Sequence, residues 1–263
     1  MLQNQSFEMS FLQEELSASQ TELFVLESVN ALNEADEEEK GASKAGELAK
    51  KAKDFFIKIA KAVAEAFKKF TTFFVEMYKK LESRVVNVQK YISGVKSSAK
   101  LSEAREYSLL APSALKNLQE LAKADSPNFD RGFERAKSGL NDEKNIVKGS
   151  IKTISEADKA AKSAAGSVKQ VKAAASVVSQ TNKSAQQAAK DGVSASAKGD
   201  KEAINEKKRV ASNASKANSL SRTAVSKSIK LSNQTLATAF SAAKAINAAG
   251  KKSDKKAPKP ANA

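Results

Sequence analysis

Along one stretch of the chain apolar residues recur at Leu48, Ala52, Phe55, Ile59, Val63, Phe67, Phe70, Phe74, Met77, Leu81, Val85, Val88, Ile92 and Val95. The steps are threes and fours that average close to 3.6, which is the period of a straight α-helix and not that of a strict heptad seam. Phe56, Ala60 and Phe73 widen the apolar arc, while Lys58, Lys61, Lys68, Lys69, Lys79 and Lys80 keep the far side in water. Lys50–Val95 is therefore expected to form one long amphipathic helix. Six of the twelve Phe fall between Phe55 and Phe74, so this helix is the main hydrophobic anchor. Its apolar stripe has two uses: to form the core of a helical bundle, or to lie on a partner, membrane or apolar particle through Phe55, Ile59, Val63, Phe67, Phe70, Phe74 and Met77. It does not span a bilayer, because the longest uncharged run, Phe70–Val75, is far shorter than the ~20 residues required.

Turn formers are scarce. With 10 Gly and 4 Pro in 263 residues, and with Ala, Ser and Lys dominant, the chain is expected to make long helices with few breaks. The absence of Cys and His removes thiol nucleophiles, imidazole and thiolate metal sites, and the commonest general base near neutral pH. Gly41 and Gly46 have the spacing of a phosphate-binding loop, but Glu47-Leu48 stands where Lys and Ser/Thr are required. No catalytic, cofactor-binding or metal-ligating residue is expected, and no small-molecule substrate. The N-terminus lacks the basic start and apolar run of a secretory signal, so the chain is expected to stay in the cytoplasm where it is made.

Charge is unevenly distributed. Residues 1–40 hold ten acidic side chains against Lys40, a balance of −9; residues 41–143 carry +7, and residues 144–263 carry +17. An acidic head of this kind can neutralise or mask a basic body. Four segments follow: residues 1–40, an acidic helix over 7–33 and a charged linker; residues 41–141, the Phe-rich helix to about Ser97 and short helices at 101–110, 113–122 and from Ser126-Pro127 to Lys137; residues 142–249, a helical hairpin rich in Ala, Lys and Ser; and residues 250–263, a disordered basic tail. The hairpin is expected to break between Gly192 and Gly199, with Asp200 capping a second arm whose inner face uses Ile204, Val210, Ala214, Ala217, Leu220, Ala224, Ile229, Leu236, Phe240 and Ile246. The fold class is all-α: long amphipathic helices forming an elongated bundle and a helical hairpin. Because the hairpin faces are lined with alanine, its core is expected to be thin.

The basic part suits phosphate contact. Residues 144–263 carry 22 Lys with Arg209 and Arg222, and no aromatic precedes Phe240. Without stacking rings or forked guanidinium groups, contacts to nucleic acid would be non-specific and salt-sensitive. Lys207, Lys208, Arg209, Lys251, Lys252, Lys255 and Lys256 are the candidates. The stretch Lys255-Lys-Ala-Pro-Lys-Pro-Ala resembles the tails of linker histones, which implies a nucleoid-type role.

One short pattern occurs three times. Leu32-Asn-Glu-Ala35, Leu101-Ser-Glu-Ala104 and Ile154-Ser-Glu-Ala157 share the form aliphatic–polar–Glu–Ala. On local grounds it suits the first turn of a helix, although only the second copy falls at an expected helix start. The pattern also resembles the sites cut by prohead maturation proteases of tailed bacteriophages, which cleave after the Glu of an aliphatic-x-Glu motif. The layout of the whole chain is similar to internal head and prohead core proteins of large myophages. That resemblance implies a non-enzymatic structural protein of the virion or prohead interior, partnered by other head proteins, by itself or by DNA, and processed at Glu34, with Glu103 and Glu156 as further matches inside expected helices. Cutting after Glu34 would shed six acidic side chains and no basic one. The alternative is a phasin-like protein that coats a granule or membrane surface, since phasins are similarly helical, rich in Ala and Lys, and Pro/Lys-tailed.

Overall fold

The structure is a computed structural model that describes residues 13–14 and 45–256. The helix expected over 7–33, the linker after it and residues 257–263 of the tail lie outside the described residues, apart from Gln13 and Glu14. The fold is all-α apart from one two-stranded sheet.

Helix α1 (Ala45–Ser93) is the Phe-rich helix. Its buried residues, among them Ala52, Phe55, Phe56, Ile59, Val63, Ala66, Phe70, Phe73, Met77, Leu81, Val88 and Ile92, follow the 3.6 period read from the sequence. It stops at Ser93, slightly earlier than expected, where the Gly94 and Val95 N–H groups turn back to the carbonyls of Tyr91 and Ile92.

The short helix expected over 101–110 is a strand instead. Strand β1 (Arg105–Leu110) pairs antiparallel with β2 (Ile146–Ile151), in a register that runs from Arg105 opposite Ile151 to Leu110 opposite Ile146. The cause lies at long range. Ile146, Val147 and Ile151 are β-branched and favour an extended chain, and β1 supplies their ladder. Tyr107 lies across the strands over Gly149, where an added Cβ would come within 2.5 Å of the ring. Between the strands come α2 (Pro112–Lys116), a 3₁₀ turn (Asn117–Ala122), α3 (Phe129–Asn141) and a second 3₁₀ turn (Glu143–Asn145). Pro112 opens α2, where its missing N–H costs nothing. The expected 113–122 helix is thus part α and part 3₁₀. The Ser126 hydroxyl accepts from the Asn128 N–H ahead of α3, so the turn expected there is present two residues before the helix proper.

Helices α4 (Ile154–Lys198) and α5 (Lys201–Lys256) form the hairpin. Gly192 does not break α4; the turn is made by Gly199, the one described residue at positive φ, +66°. The Asp200 N–H donates to the Ala195 carbonyl and the Gly199 N–H to that of Ser196, the paired bonds of a helix end closed by a left-handed residue. Asp200 then caps α5, its carboxylate accepting from the Ala203 N–H at 3.0 Å. Helix α5 continues past Ala249 and through Gly250 to Lys256, so the first seven residues assigned to the tail belong to a helix.

Helix α4 buries small residues at a seven-residue interval, Ala157, Ala164, Val171, Val178, Ala185 and Gly192, together with Ala160, Ser167, Ala174, Thr181, Ala188 and Ala195. A strict repeat of seven is the signature of a left-handed supercoil, and small side chains permit close approach of the partner helix. Across α5 the thin-core expectation fails. From Ala211 to Leu236 it is buried on nearly every side, and the enclosed residues include Asn213, Ser215, Asn218, Ser221, Arg222, Ser226, Ser228 and Ser232. Alanine and serine fill most of this buried stretch.

The chain divides into two compact units, each assembled from separated stretches. Unit 1 comprises Met1–Val75, Ser113–Asp142 and Lys172–Ser226; unit 2 comprises Glu76–Pro112, Glu143–Val171 and Lys227–Ala263. In unit 1, α1 contributes Ala52, Phe55, Phe56, Ile59 and Val63 to one core with Ala124, with Ala185, Ala188, Ala189 and Ala195 of α4, and with Ile204, Ala211 and Ala214 of α5. Asn213 fastens this core by donating to the Ala124 carbonyl, and Asn218 donates to the Val178 carbonyl. In unit 2, Tyr91 of α1 packs edge-on against Phe240 of α5, and Arg84 donates to the Asn233 side chain. Thr235 donates to the Ser108 carbonyl, Arg105 to the Ser241 hydroxyl, and Ser167 meets Ser228 at 3.4 Å.

Candidate functional site

The aromatic stripe is turned inward. Phe55, Ile59, Val63, Phe70 and Met77 are buried by the chain's own residues, and Phe67 and Phe74 are half-buried. In its first half the stripe packs within the chain: Phe55, Phe56, Ile59 and Val63 meet small side chains of α4 and α5, and Gly192 lies against the Phe56 ring. The large apolar side chains left exposed are Ile57, Val75, Val86 and Val147. No helix of the described residues is long and apolar enough to cross a membrane. Among the described residues no three His, Cys, Asp or Glu side chains stand close enough to hold a metal ion.

The candidate phosphate contacts fare unequally. Lys207 is half-buried and lies 3.6 Å from the Asp191 carboxylate. Arg209 donates through Nε and Nη2 to the Glu206 carboxylate, at 3.1 and 2.9 Å, and through Nη2 to the Asp125 carbonyl. This pairing depresses the Glu206 pKa and raises that of Arg209. Lys208 is half-buried, and Lys251 is exposed near the end of α5. Lys252, Lys255 and Lys256 lie on the last turns of the same helix.

A better-disposed set lies on α4 within unit 1. Lys172, Lys183 and Lys190 are exposed, and steps of eleven and seven residues bring them round to one side of a helix. Among the described residues none of the three is in an ion pair. The sequence carried this signal in the recurrence of Lys opposite the small-residue heptad. It was hidden by the abundance of lysine elsewhere.

The three Glu of the repeated pattern part company. Glu34 lies outside the described residues. Glu103 is exposed on an irregular bend just before β1, where a helix was expected. Glu156 was expected inside a helical arm but stands in the first turn of α4. Its carboxylate accepts from the N–H groups of Lys152 and Thr153, at 2.7 and 2.9 Å, while the Thr153 hydroxyl accepts from the Glu156 N–H. That reciprocal arrangement is a capping box, and its backbone donors hold the Glu156 pKa below the usual carboxylate range.

One residue of the acidic N-terminal part, Glu14, is also buried. Arg222 on α5 is fully enclosed, and its Nε donates to Oε1 of Glu14 at 2.6 Å. Glu14 is itself only 4% exposed. Burial pushes its pKa up; the hydrogen bond and charge of Arg222, and then the charge of Lys69, act the other way. Sequence reasoning missed this pair, because its members are 208 residues apart and Arg222 stands in an unremarkable run of Ala and Ser.

No family model matches the sequence, and no curated protein or solved structure matches the chain.

Proposed function

We propose that the chain is a non-enzymatic structural protein of a phage head, an internal or prohead-core component that lies against DNA through backbone phosphates. The observation that carries this reading is the exposed lysine row of α4, Lys172, Lys183 and Lys190. Lysine in such a row meets phosphate as a set of point charges, without base recognition. The acidic N-terminal segment supports the same reading, since an assembly protein that must not bind DNA too early benefits from a removable negative counterpart. Cutting after Glu34 would take Glu14 away from Arg222 and raise the net positive charge of the remainder. The exposed bend at Glu103 offers a second accessible bond, whereas the carboxylate of Glu156 is engaged in a helix cap. A granule- or membrane-coating role draws no support from the fold, because the apolar stripe it would use is packed inside.

The test is mass spectrometry of purified mature particles and of proheads. The expected result is the full chain in proheads and, in mature heads, peptides that begin at Ala35. Particles that lack the chain altogether would overturn the structural role, and an intact N-terminus in mature heads would overturn the processing.

A further inference from the structure

The lysine row of α4 has a counterpart on α1 within unit 1. Lys50, Lys61 and Lys68 are exposed, and their steps of eleven and seven residues repeat those from Lys172 to Lys183 and Lys190. Both intervals return to one side of a helix, and eighteen residues make each row about 27 Å long. Among the described residues none of these six lysines is in an ion pair. Ile57 and Ala64, which stand between the α1 lysines, are exposed and uncharged. Asp54 is an acid on the same face, but it is outweighed, since residues 50–75 hold seven Lys against Asp54 and Glu65.

The two rows face different ways. Each lies on the side of its helix opposite the buried residues, which on α1 include Ala52, Phe55, Ile59 and Val63 and on α4 include Ala185, Ala188 and Gly192. Those buried sides meet in one core, where Gly192 lies against the Phe56 ring. A straight duplex laid along one row is therefore directed away from the other. The class of partner follows from the repetition. An acidic protein would have to match each helix separately, whereas duplex DNA presents a phosphate charge every ~1.7 Å along its axis, so any stretch of it meets either row. Lysine, as a point charge, needs no particular base sequence. We propose that unit 1 holds two duplexes at once, one on Lys172, Lys183 and Lys190 and the other on Lys50, Lys61 and Lys68, and so ties neighbouring DNA segments together. The inference rests on the phosphate-binding reading of α4 given above and adds a second site to it.

The experiment counts duplexes on the full chain. A short DNA duplex is titrated in at low salt and its stoichiometry read by analytical ultracentrifugation; bridging is read as capture of a fluorescent duplex on beads that carry a second, unrelated duplex. The parent chain is expected to bind two duplexes per chain and to capture the fluorescent one. The combined Lys50→Gln, Lys61→Gln, Lys68→Gln variant is expected to bind one duplex per chain, with capture at least tenfold lower. Lys172→Gln, Lys183→Gln, Lys190→Gln should behave in the same way, and the variant with all six changes should bind none. All six positions are exposed, so an unchanged helical spectrum is expected throughout. One duplex per parent chain, lost with the α4 changes alone, would overturn the second site and leave the reading of α4 standing. Capture that survives the α1 changes would also overturn it, since bridging would then come from association of chains that each hold one duplex. No duplex bound by the parent chain would overturn that reading and this inference together.

Discussion

Gly192 of α4 lies against the ring of Phe56 on α1, so closely that a single methyl group on Gly192 would overlap three ring carbons. Phe56 is fully buried and lies in the core that unites α1, α4 and α5 in unit 1. A glycine inside a helix ordinarily costs about 1 kcal/mol relative to alanine. At position 192 that cost is offset by the closeness it allows between two helices.

Gly192→Ala should therefore destabilise the protein although it improves helix propensity. Overpacking of a filled core costs typically about 1–3 kcal/mol, which is larger than the propensity gain. Thermal unfolding should show a lowered Tm for Gly192→Ala and partial recovery when Phe56→Leu is added. A raised Tm for the single variant would show that the ring moves aside at little cost.

The capping box at the start of α4 gives a pH signature. Because the folded-state pKa of Glu156 is depressed, its contribution is fully present above the ordinary carboxylate range and is lost as pH falls through the lowered value. Glu156→Gln should lower the Tm near pH 7, and the gap to the parent chain should be narrower at pH 3. Thr153→Ala, which removes the other half of the box, should cost about 1 kcal/mol. An equal Glu156→Gln effect at both pH values would refute the charge-assisted cap.

The turn between α4 and α5 makes a third test. Gly199 holds φ at +66°, where a Cβ is disfavoured by roughly 1–2 kcal/mol, and the Asp200 carboxylate caps α5. Gly199→Ala and Asp200→Ala should each lower stability by about 1 kcal/mol, with Asp200→Asn close to neutral, as measured by denaturant midpoint at constant slope. The adjacent effects need not add. Tolerance of Gly199→Ala would contradict the left-handed turn.

What was legible in the sequence followed from repetition over many residues. Helix α1 announced itself because large apolar side chains kept one period for a dozen turns, and Asp200 was readable because a cap is a local device. The strand Arg105–Leu110 was not readable, since it lacks β-branched residues and pairs with a partner whose own signal, Ile146, Val147 and Ile151, lies some forty residues on. Nor was the enclosure of α5. Alanine and serine carry little information about burial, and whether such a helix is central or peripheral depends on what covers it. Among the site residues, Lys207 and Arg209 looked available because the sequence does not show that Asp191 and Glu206 neutralise them. Lys172, Lys183 and Lys190 were hidden by ordinary spacing in a lysine-rich chain.

The most direct test is retention of duplex DNA by the full chain across a salt series, comparing the parent protein with the triple variant Lys172→Gln, Lys183→Gln, Lys190→Gln and with Arg209→Gln. If the α4 row meets phosphates, the triple variant should bind more weakly on every DNA sequence and its log–log salt slope should fall by roughly 3, about one for each lysine charge removed. Arg209→Gln, already committed to Glu206, should change little. A triple variant that keeps the parent affinity and salt slope would contradict the account.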